Sequence, residues 1–159
     1  MTTLTDNIIG ELSFNHTWSR PYQICFFDEL MDVRLSLAGD ETGFIQENQR
    51  SAYAHFNANL DFHLKTAEAA IFKYYLSVCY EYRERFGSEF ADRMAPIITQ
   101  EKELKILIKP TTVLIQESFD SDERIVGLLY DCSWDTSLGL AVKFINENID
   151  EVGPQDIIL

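Results

Sequence analysis

Apolar and polar positions divide the chain into three blocks. Between residues 8 and 38 the apolar residues come in short runs: Gly10-Glu11-Leu12-Ser13-Phe14, then Tyr22-Gln23-Ile24-Cys25-Phe26-Phe27 after Pro21, then Met31-Asp32-Val33-Arg34-Leu35-Ser36-Leu37. In the last run Met31, Val33, Leu35 and Leu37 alternate with Asp32, Arg34 and Ser36, the period of a strand with one dry and one wet face. Ala38-Gly39-Asp40-Glu41-Thr42-Gly43 then supplies the break expected between a strand and a helix.

From residue 43 to about 107 the spacing changes to three and four. Phe44, Ile45, Asn48, Ala52, Tyr53, Phe56 and Leu60 share one helical side that would pack inward. Leu64, Ala67, Ile71, Tyr74, Tyr75, Val78 and Tyr82 form a second stripe, with Lys65, Glu68, Lys73, Glu81 and Glu84 around it. Asn57 or Asn59 would cap a break between the two, and Phe86-Gly87 closes the second helix. Glu89 to Met94 reads as a turn or two, Pro96 interrupts, and a further helix start at Thr99 lacks a true capping box because Lys102 stands three residues on.

Strand signals return over residues 111–159. Thr111-Thr112-Val113-Leu114-Ile115 is β-branched, Ile125 to Tyr130 is nearly all apolar, and Leu138 to Phe144 alternates. Acidic or polar turns separate them: Asp120-Ser121-Asp122-Glu123, then Ser133-Trp134-Asp135-Thr136-Ser137, then Asn146-Glu147-Asn148 before the last segment, Ile149 to Leu159. Strands, then helices, then strands predict one α+β domain over 1–159, an antiparallel sheet with helices packed on one face.

Composition agrees with this picture and adds charge. The 159 residues, 46% hydrophobic and 25% charged, suffice for a core without staples or metals. No apolar run approaches the roughly 18 residues of a membrane helix. Met1-Thr2-Thr3-Leu4-Thr5-Asp6 has neither the basic start nor the apolar core of a secretory signal, so the expected location is cytoplasmic. Against 13 basic residues stand 26 acidic ones, a formal charge of −13 that disfavours nucleic acid and anionic membranes as partners. The same charge fits plain solubility, a basic protein partner or a divalent cation. Cys25, Cys79 and Cys132 form no CxxC pair, sit in apolar stretches and read as reduced, buried thiols.

Gly127-Leu128-Leu129-Tyr130-Asp131-Cys132-Ser133-Trp134-Asp135, followed by Leu138-Gly139-Leu140-Ala141-Val142 and closing on Glu151-Val152-Gly153-Pro154-Gln155-Asp156, resembles a bacterial family of uncharacterised domains. That family carries a Trp-Asp turn within a hairpin, a Gly-led strand and a terminal Val-Gly-x-Gln-Asp segment. The likeness is strong in the C-terminal third and looser at Ala52, Tyr53, Phe56, Tyr74 and Tyr75. Its members often have an acidic residue and a histidine before the glycine. Here Ser137-Leu138 stands there, so no role for that histidine carries over. The resemblance brings no catalytic residue, and it implies an immunity or accessory role for similar small acidic proteins.

Each candidate feature also has a structural explanation. Asp135 can bond its own turn, and the Trp134 ring can cover the end of the sheet with its indole N–H on a carbonyl. Gly139 and Gly153 read as bulge or positive-φ positions, and Gln155-Asp156 as a cap or bridge between loops. His55 and His63 do not make HExxH, and Asp120, Asp122 and Glu123 lack the glycine and terminal glutamate of a calcium loop, so no metal site and no cofactor are expected. GxSxG, P-loop and GxGxxG motifs do not occur, which makes an enzyme the weaker reading.

The leading expectation is a protein-binding domain whose acidic turns meet a basic partner, with Asp120, Asp122, Glu123, Trp134 and Asp135 as contact residues. The alternative is an enzyme or small-ligand protein with a carboxylate-lined pocket near Trp134-Asp135, using Asp131 and Asp135 as acid and base. A third is a self-associating domain, and the oligomeric state stays open. Trp18, Tyr22 and Tyr80 are spare aromatics that either line a partner surface or are half-buried.

Overall fold

The computed structural model describes residues 2–119 and 122–159. Its strands are β1 (Thr3–Asp6), β2 (Gly10–Phe14), β3 (Trp18–Phe26), β4 (Glu29–Leu37), β5 (Ile108–Ile115), β6 (Ile125–Cys132), β7 (Leu140–Ile145) and β8 (Asn148–Gly153). Between β4 and β5 run helices α1 (Glu47–Ala58), α2 (Leu60–Phe86) and α3 (Ala91–Met94), then a 3-10 turn, Glu101–Ile106; a second such turn, Gln155–Ile157, follows β8. The α+β class read from the sequence is the class observed.

All eight strands form one sheet in sequence order. Neighbours joined by short turns pair antiparallel, as hairpins must, whereas β4 and β5 pair parallel from Arg34↔Thr112 to Leu37↔Ile115. The helices supply the long crossover that a parallel pair needs. Their face of the sheet is dry. Leu35, Leu37, Val113, Ile115, Val126, Leu128, Val142 and Phe144 pack there with Ala52, Phe56, Leu64, Ala67, Ile71 and Tyr75 from the two long helices. Period-two alternation in the strands and the apolar helical stripes meet in this cluster.

The far face of the sheet divides in two. Over β5–β7 it is apolar, and Leu114, Leu129 and Ala141 are covered by Ile158 and Ile157 of the C-terminal segment. The Gln116 amide fixes that segment by donating to the Ile158 carbonyl at 2.8 Å. Over β2–β4 the same face carries Ser13, Ser19, Arg34 and Ser36 instead.

Four polar side chains are built into the helix side of the fold or its rim. Gln49 donates to the Ala38 carbonyl at 2.9 Å and reaches that of Ile115 at 3.4 Å, tying α1 to the ends of β4 and β5. Burial works against ionisation of Asp6, but the N–H groups of Ile9 and Ile8 and the Arg50 guanidinium outweigh it and hold the carboxyl below its usual range. Glu68 accepts from the Phe27 N–H, and its burial pushes the carboxyl up. His63 is buried, stacked on Phe56 at 4.8 Å and edge-on to Phe144; its Nε2 has no partner among the described residues, and desolvation lowers its pKa.

A pH effect follows from His63. Below its ordinary value of 6.5 the unfolded chain takes up a proton that the folded chain refuses, so the His63 contribution lowers stability as pH falls from about 6.5, through the window between the two pKa values, whereas Glu68, with its pKa raised above 4.5, acts in the opposite sense. Asp6 has the depressed pKa, so its contribution is present above 3.8 and is lost only at lower pH. Urea unfolding at pH 7 and pH 5.5 should show the loss, and His63→Phe should flatten it. An unchanged slope in the variant would assign the loss elsewhere.

Several expectations need correction. Phe44 does not pack inward: α1 begins at Glu47, and Phe44 lies on the preceding loop, 95% exposed. Trp18 is not a spare surface aromatic but buried in the core, with its indole donating to the Asp40 carbonyl at 3.2 Å. Tyr22 is half-buried and hydrogen-bonded to Asn57, while Tyr80 is exposed. Asn59 stands at the junction of α1 and α2 as expected, but through its backbone, which accepts from the His63 N–H; its side chain makes no cap bond. The capping glutamate sought from Thr99 is found one register later: Glu103 accepts from the N–H groups of Thr99 and Gln100, both at 2.8 Å.

Candidate functional site

The residues carrying the family resemblance form one structural knot where β6 ends. Trp134 is 2% exposed, its ring 4.6 Å from that of Tyr75, whose hydroxyl donates to the Pro96 carbonyl at 2.6 Å. Trp134 is thus nearly all buried and serves the packing, with only its edge bordering the surface. Asp135 holds its own turn: one carboxylate oxygen accepts from the Leu138 N–H at 3.0 Å and the other from the Tyr82 hydroxyl at 3.3 Å. The chain turns back through Gly139 at φ +63°, where a side chain would also strike the Gln155 amide. Gln155 reaches past it to donate to the Tyr130 carbonyl at 3.0 Å, the bridge between loops that its position suggested. Gly153 has no positive φ; it is tight because Ile157 packs on it.

A depression of about 480 Å³ borders this knot, lined by Tyr82, Arg85, Phe86, Trp134, Asp135, Ser137 and Leu138. It brings in a single carboxylate. Asp131 lies exposed on β6, opposite Lys109 in the ladder, and outside this lining, so the two aspartates do not meet as an acid and base pair. Cys132 is buried with its thiol pushed up to about 12, and it donates to the Asp135 carbonyl at 3.4 Å. A thiol in that state is a packing group and a poor nucleophile. His55 is exposed on α1 and engages Ser51, so it does not share a site with buried His63.

Asp122 and Glu123 lie at the other end of β6, and Asp120 falls outside the described residues. β6, an eight-residue strand roughly 26 Å long, lies between them and the Trp134-Asp135 turn, so these described contact candidates flank opposite ends of one strand. What surrounds Asp122 and Glu123 is more informative. Because β4 and β5 run parallel, both end at this edge, and the loops that follow them are held together on the start of α1. The Ser118 N–H donates to the Gln46 side chain at 3.1 Å, and the Asn48 amide reaches the carbonyls of Ser118 and Glu123. The β7–β8 turn joins them through Arg124, whose fork meets Glu147 at 2.7 and 2.8 Å.

This edge is acidic and also apolar at its tips. Asp40, Glu41, Glu47, Glu117, Asp122 and Glu123 stand on it; its two arginines, Arg50 and Arg124, are already in ion pairs, and residues 38–50, 116–124 and 145–150 contain no lysine. Phe44 and Phe119 project from the two linked loops at 95% and 80% exposure. The sequence signal for this was present in part, since the acidic turns were visible. The aromatic tips were not, because Phe44 falls in register with the apolar stripe of α1.

No helix among the described residues is long and apolar enough to cross a membrane. No curated protein and no solved structure matches the chain. One family does, over residues 8–159, and with nearly the whole fold included in that match the chain belongs to the family described as a domain of unknown function (DUF6985).

Proposed function

We propose that this domain is a binding protein whose partner is a basic protein, engaged at the edge where the loops after β4 and β5 meet. The observation that carries the reading is the pair of exposed phenylalanines, Phe44 and Phe119, set on adjoining loops within an acidic rim. Interfaces draw most of their affinity from a few aromatic anchors, and charge around them speeds encounter and selects the partner. A net charge of −13 extends the attraction beyond the rim and makes it sensitive to salt. Three free thiols are in keeping with a reducing compartment. An immunity or accessory role, in which an acidic protein occupies a basic one, is the most concrete form of this reading.

Affinity capture from the native lysate over a salt gradient tests it, using the wild type beside Phe44→Ala/Phe119→Ala and Asp122→Lys/Glu123→Lys. A stoichiometric basic protein should bind the wild type and elute as salt rises. Each double variant should bind it at least tenfold more weakly, since anchor residues are worth about 2 kcal/mol or more each. Recovery of the wild type alone, or equal capture by all three proteins, would end the proposal.

A further inference from the structure

The wet half of the far face holds a second, unrelated feature. The register aligns Ser13, Ser19 and Ser36 in one row across β2, β3 and β4, and places Arg34 one row along, opposite Thr112 of β5. With Asn15 from the β2–β3 turn these residues line a hollow of about 530 Å³. That volume lies within the range of small-ligand sites. The C-terminal segment covers the neighbouring apolar half of the face and leaves this half open.

Its chemistry runs opposite to that of the molecule. In a chain of charge −13, no acidic residue among the described residues lines the hollow. Arg50, Arg83, Arg85 and Arg124 each pair with a carboxylate, but Arg34 pairs with none among the described residues. Its one side-chain hydrogen bond to a described residue is donated to the Ser19 hydroxyl, at 2.6 Å, which draws the guanidinium toward the hydroxyl row. Ser19 accepts that bond and keeps its own proton to donate. Ser36 is more than nine-tenths buried, lines the hollow, and has no hydrogen-bond partner for its hydroxyl among the described residues. The nearest acids on this face are Asp32, two residues along β4 and bonded to Gln23, and Glu11, two residues before Ser13; both are exposed.

A guanidinium fork with several hydroxyl donors around it complements a group with many acceptor oxygens and negative charge. Among the described residues no aromatic ring lines the hollow to stack on a sugar or base. We propose that this hollow is a binding site for the phosphate group of a small phosphorylated ligand, held by Arg34 and the hydroxyls of Ser13, Ser19 and Ser36.

Amide chemical-shift titrations of the full chain with inorganic phosphate and with glycerol 3-phosphate test this, with acetate at matched ionic strength as the control. Saturable shifts centred on residues 13, 19, 34 and 36 are expected with the phosphates, and none with acetate. Arg34→Gln should weaken binding at least tenfold and Ser36→Ala several-fold, at unchanged unfolding midpoints. Lys143→Gln, on another part of the sheet, should change nothing. Tighter binding of glycerol 3-phosphate would indicate that the rest of the ligand also seats in the hollow; equal binding would confine recognition to the phosphate. Absence of saturation, equal shifts with acetate, or undiminished binding in Arg34→Gln would overturn the assignment.

Discussion

Trp134→Ala is expected to destabilise the domain by about 3–5 kcal/mol, the cost of truncating a large aromatic in a core that collapses only in part. Trp134 is among the largest fully buried side chains, and its loss would leave Tyr75 facing a void at the junction of α2, β6 and the Trp-Asp turn. Asp135→Asn removes less, about 1 kcal/mol, because the amide oxygen can still accept from the Leu138 N–H. Urea unfolding followed by circular dichroism measures both, with the slope unchanged if only stability is altered. The order of these two losses matters for reading the family. If the Trp-Asp pair serves the fold, the tryptophan dominates and partner capture survives in any protein that stays folded. A stable, well-packed Trp134→Ala protein would contradict the burial seen here.

Gly127→Val should also be damaging, though less so, and for the opposite reason, that of too little room. Even a bare Cβ at Gly127 would stand 2.6 Å from Cγ1 of Ile158, which lies flat on the sheet at that point. Overpacking of this kind costs about 1–3 kcal/mol, and here it has an outlet, since the C-terminal segment can lift away. Lifting would uncover Leu114, Leu129 and Ala141. The expected signs are earlier unfolding in urea, new sensitivity of the C-terminus to carboxypeptidase, and a tendency to associate through the exposed apolar patch. Gly127→Ala combined with Ile158→Ala should recover part of the loss, giving a coupling term in a double-mutant cycle. Additive losses would mean that the two positions do not compete for the same space.

The elements read most easily from the sequence are those with one face fully buried. β4 was visible because Val33, Leu35 and Leu37 pack on the helices while Asp32 and Arg34 meet water. β1 was invisible because it is a short edge strand, exposed from Thr3 to Thr5. The two tight hairpins turn through Phe27-Asp28 and Asn146-Glu147, all four at positive φ, without the glycine that usually announces such turns. The parallel pairing of β4 and β5 leaves no mark in either strand, since direction is set by where the helices deliver the chain. For the same reason the acidic edge could be read only in pieces: its loops are far apart in sequence and meet through Gln46, Asn48 and Gln49. The turn chemistry of Asp135 and the bridge at Gln155 were legible because they are local.

Sequence-order strand pairing bears on how the chain folds. β1 to β4 and β5 to β8 are each chains of hairpins that close over a few residues, and such local contacts form fast. Only one ladder, β4 with β5, must wait for the chain of residues 38–107 to bring its ends together, and closing a loop that long is the largest single loop-closure cost in the topology. The two four-stranded halves thus resemble two pages bound along a single spine, with α1 and α2 as the binding. A nick in an exposed loop of the crossover would leave each half with its own hairpins intact but with nothing except the spine and the helix packing to hold it to the other.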